Sequence, residues 1–141
     1  MTKLEMIYDT AHELGLEIYD FPLQSRKSLI LNDCDTVSIA LDRKQISNSF
    51  EEKECLIHEI GHFETGTYYN FNAKLDTIGR KEYRANRWAI MNYLPFEDLL
   101  SAFKEGITGT HELAEHFEHS EDSIKLAIEI YTRQGKLPIH F

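Results

Sequence analysis

Leu4, Ile7, Tyr8, Ala11 and Leu14 recur at intervals of three and four near the start of the chain. That spacing lines one face of an α-helix, which Gly15 then closes. The period changes after it. LEIYDF (16–21) and KSLILN (27–32) read as strands on either side of a turn near Pro22. DTVSIALD (35–42) alternates Val37, Ile39 and Leu41 with polar neighbours, the pattern of a half-buried strand. Short connections favour antiparallel pairing, so the expected element is a small three-stranded antiparallel sheet. Helical spacing then returns. Cys55, Leu56, Ile60 and Phe63 give a helix its apolar side, Ser49 stands three before Glu52 as a capping box, and Gly66 is a suitable stop. Residues 67–79 read as a long irregular connection. A second helix is expected from Arg80 to Tyr93, ending before Pro95, with further helices over 96–104, 110–117 and 121–133. The pattern is α+β and mostly helical, with its sheet near the N-terminus.

Composition narrows this picture. The 141 residues suit a single domain, divided into a helix and sheet (1–48), two central helices (49–94) and a C-terminal helical segment (95–141). No repeat, low-complexity tract or linker interrupts it. With 24 acidic against 15 basic residues, the formal charge of −9 disfavours a general phosphate-binding surface and hence direct nucleic-acid binding. No apolar run approaches the 18 or so residues of a membrane span. The start, MTKLEMIYDTAHELG, is polar where a signal peptide is apolar, so a cytoplasmic location is expected. Two cysteines, Cys34 and Cys55, are too few for a disulfide framework, and cytosolic thiols stay reduced.

The chemistry concentrates in CLIHEIGHFETG (55–66). His58 and His62 are four apart in mid-helix, so both rings can point at one ion. Glu59 is turned by about 100° from His58; it stands outside that pair but within reach of a water on the metal. This is the HExxH arrangement of zinc peptidases, two ligands and a general base on one helical turn. Gly61 allows another backbone to approach the metal. The bland alternative is a chance motif on a solvated face; the HE pairs at His12-Glu13 and His111-Glu112 have no histidine three residues later. A third ligand is needed, since catalytic zinc keeps three protein ligands and one open position. In GRKEYRANRWAIMNYLP, Glu82 shares a face with Ala85 and Ala89, whose small side chains permit close helix approach. Two readings stay open for Glu82: a metal ligand, or a solvated acid in a first turn, favoured by the helix dipole.

HEIGH, followed about twenty residues later by KEYRANRWAIMNYLP, resembles the ImmA/IrrE family of metallo-endopeptidases. The shared features are Glu82, the Ala85-Asn86 pair, the Trp88-Ala89 step and the Leu94-Pro95 ending. The element order agrees along the whole chain, and the tail ELAEHFEHSEDSIKLAIEIY is similar to those of phage members. The resemblance implies a zincin-like fold with a bound zinc ion held by His58, His62 and Glu82, and Glu59 as catalytic acid/base. It also implies a prophage or integrative mobile element as the setting, and a phage-type helix-turn-helix repressor as the protein substrate. Zinc in such a site lowers the pKa of bound water from 15.7 toward about 7, and Glu59 moves the proton from that water to the leaving amine.

Several residues keep two readings. Tyr68, Tyr69, Tyr83, Arg84 and His111 are candidates for a second electrophile. Asn86 is a candidate to hold the Glu82 carboxylate, or an ordinary polar helix residue. Tyr68, Tyr69 and Phe71 either wall a substrate cleft or anchor their loop. Cys55 reads as helix packing rather than a ligand. Leu113, Ala114, Phe117, Ser120, Ile124 and Ile128 have helix-turn-helix spacing. The turn lacks its usual glycine, and EDSIKLAIEIYTRQ has three acids against Lys125 and Arg133, a surface that repels phosphates. That tail is expected to pack on the catalytic core or dock a protein substrate. The alternative to a peptidase is a regulator that binds a repressor without cutting it, around a structural zinc site.

Overall fold

A computed structural model of the chain describes residues 1–33, 35–68 and 75–138. The chain divides into two compact units, Met1–Asn86 and Arg87–Phe141. In the first, α1 (Lys3–Glu13) starts at Thr2, whose side chain accepts a hydrogen bond from Glu5 N, and buries Ile7 and Ala11. Three strands follow, β1 (Glu17–Asp20), β2 (Ser28–Asp33) and β3 (Thr36–Leu41). Their order is β1-β3-β2, with Ile39 fully buried in the central strand.

The pairing corrects the antiparallel expectation. β2 and β3 are antiparallel neighbours, Ile30 opposite Ile39, but β1 runs parallel to β3, Ile18 opposite Ile39, so the sheet is mixed. The cause lies in residues 21–27, which do not form a hairpin. Leu23 N donates to Asp42 Oδ2 at 2.9 Å. The Gln45 amide donates to the Leu23 carbonyl, to the Arg26 carbonyl at 2.9 Å and to Asp42 Oδ2 at 2.7 Å. This clamp ties the segment to the residues just after β3. The chain therefore leaves β1, passes the end of β3 and returns as β2 on its far side.

The helix α2 (Ser49–Thr65) carries the HEIGH segment. Its cap sits one residue before the expected one. Asn48 accepts from Glu51 N at 2.9 Å, while Glu51 Oε1 accepts from Ser47 N at 3.2 Å. Asparagine caps as well as serine does, and Glu52 is occupied elsewhere: it accepts from Tyr8 Oη at 2.8 Å and from Arg43 at 2.7 Å. These bonds tie α1 and the turn after β3 to α2. At the other end Gly66 has a φ of 64°, in the left-handed region, and Thr67 N returns to His62 O at 2.9 Å. That six-to-one bond closes the helix in the manner of a Schellman motif.

The helix α3 (Leu75–Tyr93) begins five residues before the expected start. Gly79, read as part of the irregular connection, lies within it; a helical glycine costs only about 1 kcal/mol. Glu82 is consequently about two turns inside the helix, which removes the reading of it as a first-turn acid.

The second unit contains the end of α3 with α4 (Phe96–Lys104), α5 (Thr110–Phe117) and α6 (Glu121–Arg133), all bounded as expected. Ile90, Leu94, Leu99, Leu113, Ile124 and Ile130 meet in its core. Glu118 takes the αL position between α5 and α6 that glycine more often fills, with φ 58°, and Ser120 caps α6 by accepting from Ser123 N at 3.1 Å. The outward side of α6 carries Glu121, Asp122 and Glu129 against Lys125 and Arg133, and Arg133 is paired with Glu129 at 2.7 Å. Among the described residues, no helix is long and apolar enough to cross a membrane.

Tyr131 ties this core together. Its hydroxyl donates to the Leu94 carbonyl at 2.8 Å in a buried position, and burial, helped by the Glu97 charge, pushes the phenol up to about 12. Tyr131→Phe keeps the ring but leaves that carbonyl without its donor. A loss of about 1–2 kcal/mol in urea unfolding is expected.

Candidate metal centre

His58 and His62 lie one helical turn apart on α2, their rings edge to face with centroids 4.7 Å apart. Glu82 reaches them from α3. His58 Nε2 is 2.8 Å from Glu82 Oε2, His62 Nε2 is 3.2 Å from Glu82 Oε1, and the two Nε2 atoms are 3.1 Å apart. Ala85, one turn from Glu82, is fully buried, the small residue that the sequence pattern placed on this face.

The opposite ring nitrogens decide what this cluster is. His62 Nδ1 is 2.9 Å from the Thr67 carbonyl, an acceptor only, so Nδ1 carries the proton. The Thr67 hydroxyl lies 3.0 Å from the same nitrogen and 2.7 Å from that of Thr65. His58 Nδ1 donates to Asn86 Oδ1 at 2.7 Å. In the neutral rings both Nε2 atoms then present lone pairs toward each other and toward a carboxylate. Such a group of electron-pair donors requires a proton or a cation in its midst. The separations suit a cation: ligands about 2.0–2.1 Å from a tetrahedral metal stand about 3.3 Å apart. His58, His62 and Glu82 form the only such three-donor group among the described residues.

Where a proton takes that place, the pair has a pH signature. Burial opposes the Glu82 charge, but hydrogen bonds from His58 and His62, and their charges, outweigh it and bring the carboxyl down to about 2. Burial likewise opposes the His58 charge. The bond to Glu82, the charges of Glu59 and Glu82, and the bond to Asn86 outweigh it, so His58 rises above its ordinary 6.5. A lowered carboxyl stabilises fully above its unfolded pKa of 4.5 and loses that contribution as pH falls toward about 2. A raised imidazole stabilises fully below 6.5 and loses its contribution as pH rises through the folded value. In chelator-treated protein the difference in urea midpoint between wild type and Glu82→Ala is therefore expected to be largest from pH 4.5 to 6.5 and to shrink on both sides.

Glu59 is outside this donor group. It is only 4% exposed, although glutamate is almost never fully buried without a partner. The partner is Ser28 of β2, whose Oγ lies 2.5 Å from Glu59 Oε2. Cys55 stands one turn before Glu59, half-buried; burial raises its thiol, against a hydrogen bond with Ser28. It is not among the donors.

Among the described residues, the remaining sequence candidates lie on α3, on α5 and just after α2. Asn86, read either as a candidate to hold the Glu82 carboxylate or as an ordinary polar helix residue, bonds His58. Tyr68 offers its carbonyl to Lys81, and burial, then the Glu64 charge, raises its phenol. Tyr83 and Arg84 are exposed on α3. His111 belongs to α5, where it pairs with Glu115 at 3.1 Å. Tyr69, Phe71 and Cys34 lie outside the described residues. Sequence reasoning missed Thr67 and Ser28. Thr67 had a signal in principle, because a glycine C-cap folds the next residue back onto the last helical turn, where His62 sits.

A family model for the IrrE N-terminal-like domain, Peptidase M78, matches residues 11–129. No curated protein and no solved structure matches the chain.

Proposed function

The chain belongs to the IrrE N-terminal-like family, Peptidase M78, a family of metallopeptidases, and from that premise we propose that it is a zinc-dependent endopeptidase. Its setting is the cytoplasm of a cell carrying a prophage or integrative mobile element, and its substrate is the element's helix-turn-helix repressor. The observation that carries the reading is the convergence of two Nε2 atoms and one carboxylate, with both Nδ1 protons engaged on the far side. Two imidazoles and a carboxylate suit zinc and leave a fourth position for water or substrate.

His58, His62 and Glu82 would hold the ion. Bound there, zinc would supply Lewis acidity, lowering the pKa of the attacking water toward about 7 and polarising the scissile carbonyl. Asn86 and Thr67 fix the tautomers and ring directions of the two histidines. Glu59, beside the ligands but not among them, accepts a proton from the water as it adds to the carbonyl. It then delivers that proton to the departing amine. General acid–base transfer of this kind contributes about 10²–10⁴-fold. The formal charge of −9 suits a basic, DNA-binding substrate, since opposite potentials speed encounter.

A regulator that binds the repressor around a structural metal would have no use for a buried carboxylate next to the ligands, which favours hydrolysis. The test is coexpression of the neighbouring repressor with wild type or with Glu59→Ala. Repressor fragments with wild type alone, accompanied by derepression, support the peptidase. Derepression by both proteins with the repressor intact sinks it in favour of binding.

A further inference from the structure

Ser28 opens β2 on the side of the sheet that meets α2. Its position is fixed from several directions. Ser28 is in register with the fully buried Leu41, Asp42 N donates to the preceding Lys27 carbonyl at 2.9 Å, and the Lys27 ammonium pairs with Glu51 of α2 at 2.9 Å. From this anchored strand end the Ser28 hydroxyl reaches Glu59 Oε2 at 2.5 Å. A hydroxyl facing a carboxylate oxygen donates to it.

The need for such a tether follows from the helix. The backbone of α2 fixes where the Glu59 side chain starts but not where its carboxylate ends. Glu59 is three residues before His62, and positions three apart are neighbours on a helix. An untethered carboxylate at position 59 is therefore free to swing into the donor group and fill the position that water needs. We infer that Ser28 is a positioning residue for the reaction proposed above: its hydroxyl holds one oxygen of Glu59 against the sheet, keeping the carboxylate out of the ligand set and its other oxygen available for proton transfer. The inference rests on the peptidase reading for its consequence, but the tether is measurable without turnover.

Two variants separate the possibilities. With purified repressor as substrate, Ser28→Ala is expected to lower kcat about 10- to 100-fold with KM changed by less than about twofold, the pattern of a misplaced reacting group. Metal content should stay at the wild-type level, and Ser28→Thr, which restores a hydroxyl, should recover most of the rate. The second readout is the set of side-chain scalar couplings of Glu59 by NMR in chelator-treated protein. Wild type and Ser28→Thr should show one fixed rotamer, and Ser28→Ala an average over several. A wild-type kcat in Ser28→Ala overturns the inference, as does loss of metal in that variant or an already averaged Glu59 in wild type. If wild type cuts no repressor, the peptidase reading fails, and the couplings alone then decide whether Ser28 fixes Glu59.

Discussion

Glu59→Gln is expected to give a folded, metal-loaded protein that cleaves its repressor about 10²–10⁴-fold more slowly than wild type. Glutamine has the same length and shape, and its amide oxygen still accepts the Ser28 hydroxyl, the one hydrogen bond described for this side chain. The Ser28 hydroxyl keeps its acceptor, so the usual cost of 1–3 kcal/mol for orphaning it does not arise. The three donors that would hold the ion, His58, His62 and Glu82, are untouched. What disappears is the capacity to take a proton, which an amide oxygen lacks near neutral pH. Single-turnover cleavage beside metal content of the same preparation checks this. Cleavage at the wild-type rate would mean that some other group moves the proton. Loss of the metal would mean that Glu59 belongs to the ligand set, and the division of roles along HEIGH would have to be redrawn.

The pairing of His58 and His62, with Glu59 outside it, was readable from spacing because a helix is a ruler: residues four apart share a face whatever the rest of the chain does. The same regularity made α4, α5 and α6 legible, since Pro95, Gly109 and Ser120 mark the starts of periodic apolar runs. The sheet was not legible to the same depth. Which strands exist follows from local alternation, but which strands pair depends on Asp42 and Gln45 catching the backbone of residues 21–27 from about twenty positions away, and no local pattern announces that. The start of α3 was missed because an acceptable cost at Gly79 looks, in a sequence, like a break. At the site, the histidine pair was legible from spacing, Glu82 stayed open by pattern and came from the resemblance, and the groups around them were less legible. The reading of Asn86 as a hold on the Glu82 carboxylate has the right cluster and the wrong partner, because helical position gives a residue's face but not which of two adjacent side chains its amide meets. Ser28 had no spacing relation to Glu59 at all; only the fold brings a strand end to that helix.

Removing a donor from α3 tests whether the two helices share one ion. Glu82→Ala is expected to weaken metal binding by more than the 10–100-fold typical of losing a supporting residue, because it takes away a direct ligand, and to abolish cleavage. Glu82 is the informative choice because it is on a different helix from the histidines and its side chain is a third exposed. Its removal leaves no sealed cavity, whereas His62 is fully buried against Thr67 and its loss would disturb packing as well. The effect should also appear in stability. A ligand that binds only the folded state stabilises it by about 2.7 kcal/mol at a free concentration a hundredfold above Kd. Wild type should gain roughly that much on adding zinc to that level, and Glu82→Ala very little at the same free zinc. Competition titration with a chromophoric chelator and urea unfolding with and without zinc make the two measurements. His58→Ala should behave alike in both. Should Glu82→Ala keep wild-type zinc affinity while His58→Ala loses it, the carboxylate is a salt-bridge partner of the histidine pair rather than a ligand, and the third donor must be sought elsewhere in the chain.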